Sequence, residues 1–133
     1  MKVQSFVYDM GAAFISGYAV GGAFGAIKGM ADNLNELPLV QINQTLNTAS
    51  DFGGKCAYTS AFSAFVFDFT KVAANSAWPQ KPILSYSLAG GAAGAFCASS
   101  CGKSKAVGGI AGATLGALYG FHLSQKATLD DLI

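Results

Sequence analysis

The sequence contains no arginine, and only 11% of its 133 residues are charged. Soluble globular domains carry about 25% charged residues, so much of this protein's surface is expected to face a solvent other than water. The eight cations are all lysines and nearly balance the seven acids, which leaves a formal net charge of +1. Without a basic patch, we expect no binding to nucleic acid.

Residues that carry catalysis are also scarce. His122 is the single histidine, no Ser/His/Asp or Cys/His set has a plausible common pocket, and there are no paired carboxylates for acid–base catalysis. Gly102-Lys103-Ser104 ends like a phosphate-binding loop, but Cys97 stands where that motif requires its first glycine. We therefore expect no enzymatic activity, no cofactor and no small-molecule substrate.

The chain has three cysteines, Cys56, Cys97 and Cys101. With His122 they would be the whole ligand set of a zinc site, and we expect no metal. Cys97 and Cys101 are four residues apart, a spacing poorly suited to a mutual disulfide within a helix. A disulfide from Cys56 to one of them and three thiols are both compatible with the sequence, and an odd count leaves at least one thiol. Thiols are the preferred interpretation.

Long uncharged segments dominate what remains. Crossing a bilayer takes about 20 apolar residues, and residues 10–27, 82–102 and 106–125 contain no charge. A fourth segment is interrupted by Asp68 and Lys71. We predict an all-α membrane protein, a single domain over 1–133, with four transmembrane helices at about 8–28, 54–76, 82–102 and 106–125. A soluble, wholly buried helical core is the alternative, but these segments lack the polar face of a soluble bundle.

Residues 30–52 are predicted to form the one long polar loop. Its second half is compatible with a surface helix, because Ile42, Leu46, Ala49 and Phe52 recur at helical spacing. The N-terminal residues MKVQSFVYDM resemble neither a secretory signal nor a cleaved transit peptide, so targeting information is expected to be internal. Lysine counts do not orient the spans, since four fall on each side: Lys2, Lys71, Lys81 and Lys126 against Lys28, Lys55, Lys103 and Lys105.

Glycines recur every four residues in two of the predicted spans. The first glycine ladder is Gly17, Gly21, Gly25 and Gly29, and the second glycine ladder is Gly108, Gly112, Gly116 and Gly120. The third span adds Gly90 and Gly94. Small residues let helix backbones approach closely in lipid, so we predict that all ten glycines line helix-packing surfaces.

The run DMGAAFISGYAVGGAFGAIKG, residues 9–29, resembles the first membrane span of the mitochondrial inner-membrane preprotein translocase family. The similarity continues more loosely through Asp68, the SLAGGAAGA segment and the second glycine ladder, and it omits residues 30–52. The resemblance implies four tilted transmembrane helices in the mitochondrial inner membrane, with both termini in the intermembrane space. The family includes preprotein translocase subunits and also a small accessory subunit of respiratory complex I.

Translocase members resemble one another in acid-lined, lipid-facing grooves and basic, arginine-containing loops. Asp9 and Asp68 correspond to two of these acids, but Leu118 and Tyr119 stand where a further acid is expected, and there is no arginine. These departures favour an accessory subunit of complex I that packs against other membrane subunits and lipids. The alternative is a channel-type translocase subunit, and an unrelated organellar channel is a third hypothesis.

Each acid also has a structural interpretation. Asp68 and Lys71 are three residues apart and could neutralise each other near the interface, whereas an ionisable residue within a membrane is otherwise a candidate functional group. Asp9, near the start of the first span, complements the helix dipole.

Overall fold

A computed structural model describes residues 3–79 and 81–130. Four helices occupy this part of the chain, α1 (Val3–Asp32), α2 (Pro38–Ala77), α3 (Pro82–Ser100) and α4 (Lys105–Asp130), and it contains no strand. The chain termini and Lys2, which enter the predicted orientation, lie outside the described residues, as does the side chain of Lys126. The all-α prediction is confirmed.

The prediction of a loop over residues 30–52 is wrong for most of its length, whereas the helix that the spacing of Ile42, Leu46, Ala49 and Phe52 allowed in its second half is present. Helix α1 extends to Asp32, and α2 begins at Pro38 and continues without a break to Ala77. Proline suits a first helical position, because its fixed φ is helical and its missing N–H would be unpaired there anyway. The short connection is closed by the side chain of Asn33, which donates a 2.7 Å hydrogen bond to the carbonyl oxygen of Gly29.

Two of the helices are long and apolar enough to cross a membrane, judged by length and composition over the described residues. They are Ser5–Asp32 and Lys105–Gln125, and only 17% and 11% of their apolar windows are buried within the protein. The core helix of a soluble protein would be mostly buried. Helices α2 and α3 are less hydropathic, because the first half of α2 contains polar residues and α3 contains several serines and glycines.

The chain divides into two compact units. The N-terminal unit, Val7–Phe62, contains most of α1 and the first part of α2. The C-terminal unit contains the rest of α2 together with α3 and α4, and the first residues of α1 belong to it. One cluster of aromatic contacts within the C-terminal unit centres on Tyr86, whose ring lies 6.2 Å from that of Phe67 and 5.5 Å from that of Tyr119.

Burial is inverted relative to a water-soluble protein. Among the residues whose side chains are described, every buried one is glycine, alanine or serine, with Ala57, Ser85 and Ala89 fully buried. Large apolar side chains point outward instead, and Val20 is 71% exposed and Leu115 67%. Soluble proteins bury their Leu, Val, Ile and Phe. Small residues inside and large apolar ones outside are what a bilayer favours, since helices there associate through close packing.

Helices α3 and α4 are joined by a tight turn at Gly102. The backbone N–H of Lys103 donates to the carbonyl oxygen of Ala98, and that of Gly102 to Ser99, which satisfies two carbonyls at the end of α3. Gly102 has φ +68°, a left-handed conformation that glycine adopts without steric cost. This turn makes α3 and α4 antiparallel neighbours.

Candidate functional site

The first glycine ladder packs against α2 within the N-terminal unit. A Cβ placed on Gly17 would lie 2.6 Å from Ser60 Oγ, and one on Gly21 would lie 2.7 Å from the carbonyl oxygen of Phe52. Gly29, at the other end, faces Thr45, whose Cα would lie 2.9 Å from an added Cβ. The contacts run in opposite directions along the two helices, so α1 and α2 are antiparallel here, with backbone against backbone.

The face of α2 that receives this ladder matches only half of the apolar stripe seen in the sequence, because Ala49 and Phe52 contact the ladder. Ile42 and Leu46 are 58% and 63% exposed. The contacting residues lie on one face of the helix, and all but one of them are small: Thr45, Thr48, Ala49, Phe52, Cys56 and Ser60. The face of α2 that contacts α1 is therefore determined by how closely the two backbones can approach at the glycines, and its apolar character alone does not determine it.

The second glycine ladder packs against α3 within the C-terminal unit. A methyl group on Gly112 would overlap the carbonyl oxygen of Gly90, and one on Gly94 would overlap that of Gly108. Gly116 lies against the backbone of Tyr86 in the same way, and Gly120 approaches Ile83, whose Cα would lie 3.0 Å from an added Cβ. A hydrogen bond of 3.2 Å from Ser87 Oγ to the carbonyl oxygen of Ala113 also joins the two helices. The two ladders thus pack against different helices.

The structure places the two candidate acids in different units. Asp9 is exposed on α1, in the N-terminal unit, whereas Asp68 is partly buried on α2, in the C-terminal unit. The ammonium of Lys71 lies over the ring of Tyr86, 4.7 Å from its centroid. A cation in this position is attracted by the negative face of the ring, so Lys71 is held by an aromatic partner on α3.

The three cysteines are present as thiols. Cys56 is partly buried beside Gly21, whereas Cys97 and Cys101 are exposed at the end of α3. His122 is exposed on α4. Among the described residues, no three His, Cys, Asp or Glu side chains are grouped so that they could hold a metal ion.

Sequence reasoning missed an ion pair on α2. Lys55 Nζ lies 2.6 Å from Asp51 Oδ2, and the two side chains are 73% and 58% exposed. The signal was available, since an acid four residues before a lysine is the favoured order for a pair along a helix. The signal is hidden because the polar residues around Asp51 indicate a loop, in which the four-residue spacing has no meaning.

A grooved surface of the C-terminal unit is mainly apolar. A groove of about 570 Å³ runs between the end of α2 and the α3–α4 pair, and its lining includes Ala73, Trp78, Leu88 and Ala92. None of these side chains is ionisable, so the groove offers no acid–base or metal chemistry.

Comparison with known proteins agrees with this geometry. Residues 6–116 match the model of the Tim17/Tim22/Tim23/Pmp24 family, which covers both units and both ladders apart from Gly120. No curated protein and no solved structure matches the chain. Together with the two apolar helices, the match indicates a protein of the mitochondrial inner membrane. Because the family model covers well over half of its residues, this chain is a member of the Tim17/Tim22/Tim23/Pmp24 family.

Proposed function

We propose that this protein is a non-catalytic accessory subunit of respiratory complex I that stabilises the membrane arm and assists its assembly. It would cross the inner membrane four times, with both termini in the intermembrane space. The observation that carries the proposal is the inverted burial: among the residues whose side chains the structure describes, the buried ones are glycine, alanine and serine, and large apolar side chains such as Val20 and Leu115 are exposed. Such a surface is suited to contact with lipid and with other membrane helices.

The mechanism would be structural. Each glycine ladder holds two helices in backbone contact, so each unit presents a stiff pair of helices to its neighbours. A subunit of this kind fills a crevice between larger membrane subunits, and separating them would expose its outward apolar side chains to a less favourable environment. This role requires shape and apolar surface, and it requires no reactive group.

The assignment to complex I is supported by what the chain lacks relative to translocase members. There is no arginine in the sequence, and Leu118 and Tyr119 occupy α4 where a translocase acid is expected. A more complete set of acids would be expected in a groove that binds a cationic presequence, because opposite charges attract.

The alternative is a core subunit of a preprotein translocase. The family match and the exposure of Asp9 on α1 favour it. In that case Asp9 and Asp68 would each supply a carboxylate that lowers the cost of moving a presequence through the membrane.

Migration of the tagged protein on a native gel distinguishes the complex I hypothesis from the translocase hypothesis. Co-migration with in-gel NADH dehydrogenase activity is the expected result, whereas recovery with translocase subunits and import motors would overturn the complex I assignment. A matched pair of variants tests the alternative: Asp9→Asn with Asp68→Asn should slow the import of a presequence protein only if the chain is a translocase subunit. Asp32→Asn, at the end of α1, serves as the control.

A further inference from the structure

Four exposed polar residues form a strip along one side of α2. They are spaced three or four apart, as neighbours on a helix face are, and we call Gln44, Asn47, Asp51 and Lys55 the polar strip. The ion pair between Asp51 and Lys55 forms the C-terminal end of the strip. The strip lies outside the face of α2 that packs against the first glycine ladder.

The register of the two helices shows how deep the strip lies. Gly21 faces Phe52 and Cys56, and Gly53 contacts the backbone of Tyr18. Because α1 and α2 are antiparallel, a residue of α1 and a residue of α2 lie at the same height along the helix axes when their numbers add up to about 75. Asp51 is therefore level with Phe24 on α1, and Lys55 is level with Val20.

This level lies inside the stretch of α1 that can cross a membrane. Residues 10–27 of α1 are uncharged, and Lys28 is the first charge beyond them. At 1.5 Å per residue, Asp51 and Lys55 lie about 6 Å and 12 Å further in than Lys28. At the same level, Val20 and Phe24 of α1 are 71% and 63% exposed, as lipid-facing side chains would be.

Ionised side chains are strongly disfavoured against acyl chains, and those within membranes face the protein interior or a hydrated cavity. The lysine ammonium has three hydrogen-bond donors, and the bond to Asp51 uses one of them. Asp51 likewise retains acceptor capacity. Asp51 and Lys55 thus bring unused hydrogen-bonding groups of the polar strip to a depth where lipid can supply none.

We propose that the polar strip is the docking surface for a transmembrane helix of a partner subunit, and that this helix presents neutral hydrogen-bonding side chains. The proposal rests on the membrane insertion included in the proposed function. The partner must be helical because a backbone segment exposed within the bilayer has to satisfy its own hydrogen bonds. Its facing side chains should be neutral because Asp51 and Lys55 already balance each other, and an added charge would be left without a counter-ion.

Replacing the ion pair by leucines in the full-length protein tests this surface. If the strip faced lipid, Asp51→Leu with Lys55→Leu would leave the assembly unchanged or strengthen it. If the strip binds a polar helix, the double variant should reduce the fraction of protein in the native complex about tenfold, as expected for the loss of two or three interhelical hydrogen bonds. Unchanged incorporation would overturn the proposal.

The matched control is Asn43→Leu with Ser50→Leu. Both residues are exposed on α2, about a quarter turn from the strip by helical geometry, and this variant should assemble normally. If both double variants fail to assemble equally, the strip has no special role. Circular dichroism of each purified variant in detergent should show unchanged helix content, because the exposed pair stabilises the isolated helix only weakly.

The polar strip could instead face a water-filled groove in the complex, and thiol labelling distinguishes this from a docked helix. Gly54 neighbours Asp51 on α2 and is level with Gly21 of α1, and a Cβ added there meets nothing within 4 Å. Gly54→Cys in a background with the three native cysteines replaced by serine or alanine should react with a membrane-impermeant maleimide only after the complex is dissociated. Labelling in the intact complex would show a hydrated strip and overturn the proposal. Retention of the protein in the membrane after alkaline extraction is measured in parallel, and release there would contradict the proposed function itself.

Discussion

Replacing Gly112 by alanine should separate α3 from α4, whereas the same change three residues earlier should not. The methyl group at position 112 would overlap the carbonyl oxygen of Gly90 and would lie 2.9 Å from its carbonyl carbon and 3.1 Å from Gly94 Cα. At Gly109, the nearest atoms to the added methyl group are 3.6 Å away, in Ala95 and Gly91. Both positions belong to the same helix, so one variant is a matched control for the other.

The expected magnitude follows from these distances. Carbon atoms pack favourably at about 3.5–4.0 Å, so the backbones near Gly112 must separate by roughly 0.5–1 Å. The overlapping atoms belong to the backbone and cannot rotate away, and overpacking of this kind costs about 1–3 kcal/mol. Alanine gains up to about 1 kcal/mol over glycine in helix propensity. With the full propensity gain, Gly112→Ala should lose up to about 2 kcal/mol of stability, while Gly109→Ala should be neutral or up to about 1 kcal/mol more stable.

The stabilities of the two variants can be compared by titrating each purified protein, in a mild detergent, with a denaturing detergent. Circular dichroism follows the unfolding. The unfolding midpoint should fall for Gly112→Ala and should stay the same or rise for Gly109→Ala. Equal midpoints for the two variants would refute the reasoning, because they would show that the second glycine ladder does not hold α3 and α4 in backbone contact.

Three further predictions concern other contacts. Gly21→Ala should lower the unfolding midpoint, because its methyl group would lie 2.5–2.8 Å from atoms of α2. Gly22→Ala should not, because the nearest atom is 3.8 Å away, and similar midpoints for the two variants would argue against the α1–α2 register. Gly102→Ala should cost about 1 kcal/mol, since an L-residue is strained at φ +68°, and Gly102→Asn should cost less; thermal unfolding checks both, and no loss would exclude the left-handed turn. Lys71→Met should destabilise the C-terminal unit by about 0.5–2 kcal/mol through loss of the ammonium over Tyr86, and an unchanged melting temperature would contradict that contact.

The helical class and the positions of α1 and α4 could be predicted from the sequence, because a long uncharged run has few alternatives to a membrane helix. The extent of α2 could not. The polar residues between positions 38 and 52 favour a loop, whereas Ile42, Leu46, Ala49 and Phe52 recur at helical spacing, so the sequence was compatible with both and the structure shows a helix. The close fit of Thr45 and Thr48 against the first glycine ladder supplies a tertiary interaction that composition does not reveal.

The glycine spacing likewise predicted that packing surfaces exist, but it could not identify their partners. A ladder records only that something approaches closely. Which helix approaches depends on the turns, such as the one at Gly102, and on small residues elsewhere, such as Gly90. The polar strip was invisible for a different reason: its significance comes from its depth beside α1, and depth requires the register between the helices.

The backbone contact between α3 and α4 also constrains how this sequence can change over time. At Gly90 and Gly112 the space available is smaller than one methyl group, so almost every coding change there is harmful. On the outward side, Leu115 and Leu118 are exposed, and any side chain of similar apolar character would serve as well. Two lineages carrying this hairpin could therefore diverge until little beyond the glycines remained in common, while the hairpin itself stayed the same.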